Sequence, residues 1–198
     1  MARVTHKVHG EARSRRLSMV LVPIAVITLL AIVVFDLVIS TGNDPQALIA
    51  DGSIDGVIVI ENLTSEVVDG PVVYDRQPPA GGAHAPITQA CGVYQVPVRD
   101  DHAVKSLATG AIWIAYRPDL PTEEIAVLEE WALGEEDMIL APYPGLPEPI
   151  VLTAWGVQLP LPTPFDTRMG LFSEKYTNSE QAPSPDERCD GGLGIPAQ

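Results

Sequence analysis

The side chains of this 198-residue chain that could do chemistry are few: four histidines, two cysteines and five runs of adjacent carboxylates. His6 and His9 lie in a basic N-terminal arm, where solvated association with anionic lipid is a simpler role than metal binding. His84 ends the loop QPPAGGAH, and His102 follows two aspartates. Together with Asp101 these two histidines could hold copper or zinc, because imidazole and carboxylate are ordinary ligands for both. So few donors make a low-affinity site. The plainer reading has His84 as a hydrogen-bonded loop residue and His102 as a solvated turn residue.

Glu123/Glu124, Glu129/Glu130 and Glu135-Glu136-Asp137 look like acid–base pairs. Neighbours in sequence do not share a helix face, however, so a solvated acidic surface accounts for them better. Trp113, Trp131 and Trp155 read as packing residues. The chain has no glycine-rich phosphate loop, no G-x-S-x-G turn and no cysteine beside a histidine partner. No catalytic residue and no cofactor are assigned, and a non-enzymatic role is expected.

Charge is divided sharply. Residues 1–16 carry five basic side chains against Glu11, a net +4, whereas residues 40–198 carry seven basic and twenty-four acidic ones, a net −17. Such an acidic balance argues against nucleic acid as a partner. Between the two lies LSMVLVPIAVITLLAIVVF, Leu17 to Phe35, without a charge. A helix of about 20 apolar residues crosses a hydrocarbon core of ~30 Å. The run is longer than a signal-peptide core and VISTGND is a poor cleavage site, so an uncleaved transmembrane helix is expected from Leu17 to Ile39. Positive charge stays inside. The arm 1–16 is therefore expected in the cytoplasm and the acidic remainder outside, with the bilayer as one partner and an unidentified envelope protein as another.

Cys91 and Cys189 both fall on the outer side, where disulfides persist. A bridge between them is the favoured outcome; two free thiols or a soft-metal pair are the alternatives. A bridge would tie the proline-rich tail, APSPDERCDGGLGIPAQ, to the rest of the domain.

The elements that would position these residues follow from pattern. Short β-branched or apolar runs predict strands at Val57–Ile60, Val72–Tyr74, Val93–Val98, Ala111–Tyr116, Met138–Tyr143 and Ile150–Trp155. A loop spans Asp75–Gln89. PTEEIAVLEEWALG predicts a helix with Thr122 as N-cap and Gly134 as the terminating C′ glycine. Asp166 caps a second helix that buries Met169, Phe172 and Tyr176. The expected class is α+β: a mixed sheet with about two packed helices, preceded by a single N-terminal transmembrane helix. The expected division is arm 1–16, membrane helix 17–39, linker 40–56, outer domain 57–190 and flexible tail 191–198.

The stretches QPPAGGAH, CGVY, AVKSLATGAIWIAYRPDL, ILAPYPGLPEPIVLTAWG and PDERC, in this order, resemble the uncharacterised bacterial family called domain of unknown function 3105. The resemblance runs from about Val72 to Cys189. It implies a single-anchor or secreted protein and no established activity. The family's most chemical motif reads Val-His-Ser-Leu-Glu-His-Gly; here it reads Val104-Lys105-Ser106-Leu107-Ala108-Thr109-Gly110. Lys105 replaces the first histidine, Ala108 the glutamate and Thr109 the second histidine, so three donors are absent. The His-x-x-Glu-His spacing matches an inverted zinc-peptidase pattern only on a helix. Because the motif abuts the strand AIWIAY, that chemistry is not expected. Lys105 is expected to pair with Asp100 or Asp101 at the surface.

Overall fold

A computed structural model describes residues 49–50 and 52–197. The expected arm and the expected membrane helix, Leu17 to Ile39, lie outside the described residues. The described part opens on a small antiparallel pair, β1 (Ile49–Ala50) with β2 (Ser53–Ile54). Ile54, inside the stretch read as linker, is buried in the main core.

The principal sheet contains β3 (Ile58–Val59), β4 (Gly92–Val93), β5 (Ile112–Tyr116), β6 (Met138–Pro142), β7 (Ile150–Ala154) and β8 (Val157–Leu161). Its spatial order is β3-β8-β7-β5-β6-β4. β4, β6 and β5 run parallel; β7 is antiparallel to β5, β8 to β7 and β3 to β8. Among the described residues three helices cover the sheet: α1 (Asp100–Ala108), α2 (Thr122–Leu133) and α3 (Arg168–Tyr176). The α+β class and the mixed sheet are as expected, with one helix more than the sequence suggested.

The central strands are apolar along their whole length because both faces are covered. Ile112, Ile114, Leu140 and Leu152 face one side and pack with Leu128 of α2 and Phe172 of α3. Trp113, Ala115, Ile139, Ala141 and Val151 face the other and pack with Val104, Leu107 and Ala108 of α1. This alternation along β5 and β6 makes three layers of a sequence that shows no period-two signal.

Several expectations need correction. Val72–Tyr74 is not a strand, and Val93–Val98 contracts to Gly92–Val93. β8 escaped notice because Pro160 interrupts its apolar pattern; the hairpin turn at Trp155-Gly156, with Gly156 at φ 75, brings it back beside β7. Thr122 is the first helical residue of α2 and Pro121 occupies the cap. Gly134 is right-handed, at φ −80, and α2 ends by tightening: Gly134 N–H bonds the Trp131 carbonyl at 3.3 Å. Thr167, not Asp166, occupies the cap of α3; Asp166, one residue earlier, accepts the Arg168 N–H at 3.0 Å, and Arg168 clasps the same carboxylate with its guanidinium.

Candidate functional site

Helix α1 is the largest departure from the sequence reading, and it carries most of the candidate residues. Asp100 and Asp101 occupy its first turn and Lys105 its last, the arrangement that the helix dipole favours. Ala103, Val104, Leu107 and Ala108 recur at helical spacing opposite Asp101, His102, Lys105 and Ser106, and all eight are buried, so the polar face that would ordinarily meet solvent is covered as well. The sheet covers one side of it. The loop after Asp75 and the C-terminal tail supply the rest of its cover.

The loop is stitched down by named bonds. Gln158 of β8 donates from Nε2 to the Pro78 carbonyl at 2.8 Å, and Arg76 donates to Gln158 Oε1 at 3.2 Å. The Gln77–Pro78 peptide is cis. Tyr74 donates its hydroxyl to the Ala83 carbonyl at 2.7 Å. Against α1 itself, Ala85 N–H bonds the Asp101 carbonyl at 3.1 Å and Gln89 N–H bonds the His102 carbonyl at 3.0 Å. The tail contributes Ser184 N–H to the Ala108 carbonyl at 2.8 Å.

Within this frame His84 is 2% exposed. Its Nδ1–H faces the Gly82 carbonyl at 3.1 Å, and its ring meets Trp155 edge-on at 6.0 Å between centroids. Burial lowers its pKa, the Gly82 carbonyl partly opposes that, and the Lys105 charge lowers it again. His102 is not a solvated turn residue. It lies buried on α1, with Nδ1–H donated to the Ile87 carbonyl at 2.6 Å. Asp101 is clasped by Arg99 at 3.1 and 2.5 Å. The main chains at 84 to 87 and at 101 to 102 meet, but the side chains of His84, His102 and Asp101 are each directed to a different partner. Among the described residues no group of three or more His, Cys, Asp or Glu side chains is placed to hold a metal ion.

Lys105, Ala108 and Thr109 occupy the end of α1. Positions 105 and 109 are therefore one helical turn apart, and the expectation that the adjoining strand rules out helical geometry was mistaken. What bars the zinc chemistry is the residue types themselves. Lys105 pairs with Glu187 of the tail at 2.7 Å, not with Asp100 or Asp101. Its ammonium is mostly buried, whereas the Glu187 carboxylate is more than half exposed, so water screens the pair to about 0–1 kcal/mol. Thr109 caps the helix and donates its hydroxyl to the Ser106 carbonyl at 2.8 Å. Ser106 in turn donates to the Gln89 carbonyl at 2.7 Å.

Gly110 follows at φ 94, and a Cβ there would come within 2.8 Å of the Asn178 backbone. Close chain approach accounts for this glycine.

Cys91 and Cys189 are joined, with their Cα atoms 5.4 Å apart. The bridge sets the tail beside β4: Cys91 N–H bonds the Cys189 carbonyl at 3.3 Å, and the Ala90 N–H bonds the Leu193 carbonyl at 2.8 Å. The last described residue, Ala197, pairs antiparallel with Val93.

The sequence did not single out Glu187, Tyr143 or Tyr74. Tyr143 donates to Asp100 Oδ2 at 3.1 Å. Burial raises the pKa of Asp100, and the Tyr143 bond partly offsets this. Burial first and the nearby aspartates second hold both tyrosine hydroxyls protonated to strongly alkaline pH, which keeps them donors. No local spacing could have shown these partners, since Tyr143 lies 43 residues from Asp100 and Glu187 lies 82 from Lys105.

The His84 shift has a measurable consequence. The unfolded chain binds the imidazole proton more readily than the folded one, so the stability held above a pH of about 6.5 is lost as pH falls below it. The thermal midpoint is expected to fall between pH of about 7.5 and about 5.5, and His84→Asn is expected to flatten that fall. Asp100 runs the other way, its stabilisation lying at low pH and being lost as pH rises past its elevated pKa. An unchanged slope in His84→Asn would show that another group governs the response.

A family model described as protein of unknown function (DUF3105) matches residues 66–191. No curated protein and no solved structure matches the chain.

Proposed function

The chain belongs to the DUF3105 family, proteins of unknown function, and on that premise we propose that it is a non-catalytic interaction module of the cell envelope, held to the membrane by its N-terminal apolar segment. One observation carries this reading. The side chains at the positions that could do chemistry serve to join three separate segments. His102 and Ser106 hold the loop on α1 through the Ile87 and Gln89 carbonyls, Lys105 reaches the tail and Thr109 closes the helix. Groups spent in this way stabilise a surface for display, which supports the non-catalytic reading. The membrane placement is supported by the uncharged run Leu17–Phe35 and by the charge change across it.

Two measurements on the full chain test the proposal. Protease added to intact cells should remove the acidic domain while sparing a cytoplasmic marker; a protected domain in intact cells that is lost on lysis would reverse the orientation. Titration of the detergent-solubilised protein with zinc and with copper should release no binding heat at micromolar concentrations. Micromolar binding abolished by His84→Ala would instead make this a metal-handling protein.

A further inference from the structure

We propose that the open edge of β3 is a strand-addition site for an extended partner segment in which lysine or arginine alternates with apolar residues. This deepens the interaction-module reading and rests on it. β3 closes one side of the sheet and pairs only with β8 among the described residues. Ile58 stands opposite Gln158, and Ile60 N–H bonds the Gly156 carbonyl at 2.8 Å. In an antiparallel ladder alternate residues bond inward, so the N–H and C=O of Val59 point away from β8 to the free side. Native edges are usually blunted by lysine, proline or a covering loop. This one shows two β-branched residues, Ile58 at 41% and Val59 at 65% exposure.

The edge is only two residues long, so main-chain bonds alone would hold a partner weakly. Two adjoining hollows supply more. One, of about 360 Å³, is lined by Ile60, Leu63, Val73 and Tyr74. The other, of about 250 Å³, is lined by Val59, Ile60, Leu63 and Trp155. A strand laid along β3 would turn every second side chain toward them, which is how strand addition gains specificity.

Charge selects the occupant. Glu61, beside Ile60, and Asp75, which lines the first hollow with Ile60, are exposed, and neither forms an ion pair among the described residues. The one cation lining the hollows, Arg76, is turned to Gln158. A second copy of the same acidic edge, or an anionic lipid surface, would be repelled. A cationic strand would be drawn in and oriented.

The probe is a dye-labelled peptide of alternating lysine and valine, titrated by fluorescence anisotropy against the full chain in detergent. It should saturate. A peptide of equal charge with proline at alternate apolar positions should bind about tenfold more weakly or worse, and Val59→Pro should weaken the first peptide by about tenfold. Should Val59→Pro disturb folding, the exposed pair Glu61→Lys with Asp75→Lys serves instead, and should exchange the preference to a glutamate–valine peptide. Equal binding of the two cationic peptides, or binding indifferent to these variants, would overturn the proposal. A photoreactive residue placed at Val59, or at the exposed Phe165 elsewhere on the domain, separates this result from the parent reading in intact cells. Adducts to a basic, apolar segment at Val59 support the edge; adducts at Phe165 alone reject it and leave the interaction module standing; adducts at neither reject both.

Discussion

Replacing Cys91 and Cys189 together by serine is expected to lower the unfolding free energy by about 2–5 kcal/mol. The bridged residues are 98 apart in sequence, and in the chain-entropy account a loop of about 100 residues is worth up to ~4.7 kcal/mol. Here the bridge also holds main-chain bonds that a freed tail would exchange with water: Ala90 to Leu193, Leu193 to Thr88 and Ala197 to Val93. Loss should therefore begin locally. Amide exchange should quicken first at residues 88–93 and 189–197, ahead of the sheet centre, and the denaturant midpoint should fall with it. A serine pair with the native midpoint would mean that the tail is held by its other contacts alone.

Trp113→Ala is expected to cost about 3–5 kcal/mol, the range for emptying a large aromatic site in a packed core. Trp113 is fully buried on β5, between the sheet and α1, and meets Tyr143 edge-on at 5.6 Å. The cavity would open beneath the helix that carries positions 102 to 109, so the loop and tail bonds there should loosen as well. Trp113→Phe is the informative contrast. The indole N–H has no hydrogen-bond partner among the described residues, so its removal forfeits no bond. The smaller ring should cost about 1–2 kcal/mol. Equal losses in the two variants would show that the indole N–H, and not ring volume, matters at this site.

These two effects arise at opposite ends of what could be read in advance. Cys91 and Cys189 were legible as a pair because compartment and number left few other arrangements. Trp113 was legible as a packing residue because it stands in the apolar run AIWIAY. The spacing of Ala103, Val104, Leu107 and Ala108 carries the period of α1; what no local pattern shows is that its polar face is covered too. Asp101, His102 and Lys105 looked like the charged residues of a solvated turn; burial under the loop and tail made them internal partners.

The sequence by itself determined β5, β6 and β7, α2 and α3, and the division of the chain into a basic arm, an uncharged run and an acidic body. All of these are encoded in contiguous residues, where propensity and periodicity act directly. Only the tertiary structure decided that Glu187 meets Lys105, that Gln158 holds Pro78, and that Tyr143 reaches Asp100. Those contacts join residues 43 to 82 apart, and no local energy term specifies them. They exist because stacking the three layers brings these distant polar groups within reach of one another, away from much of the water that would otherwise satisfy them.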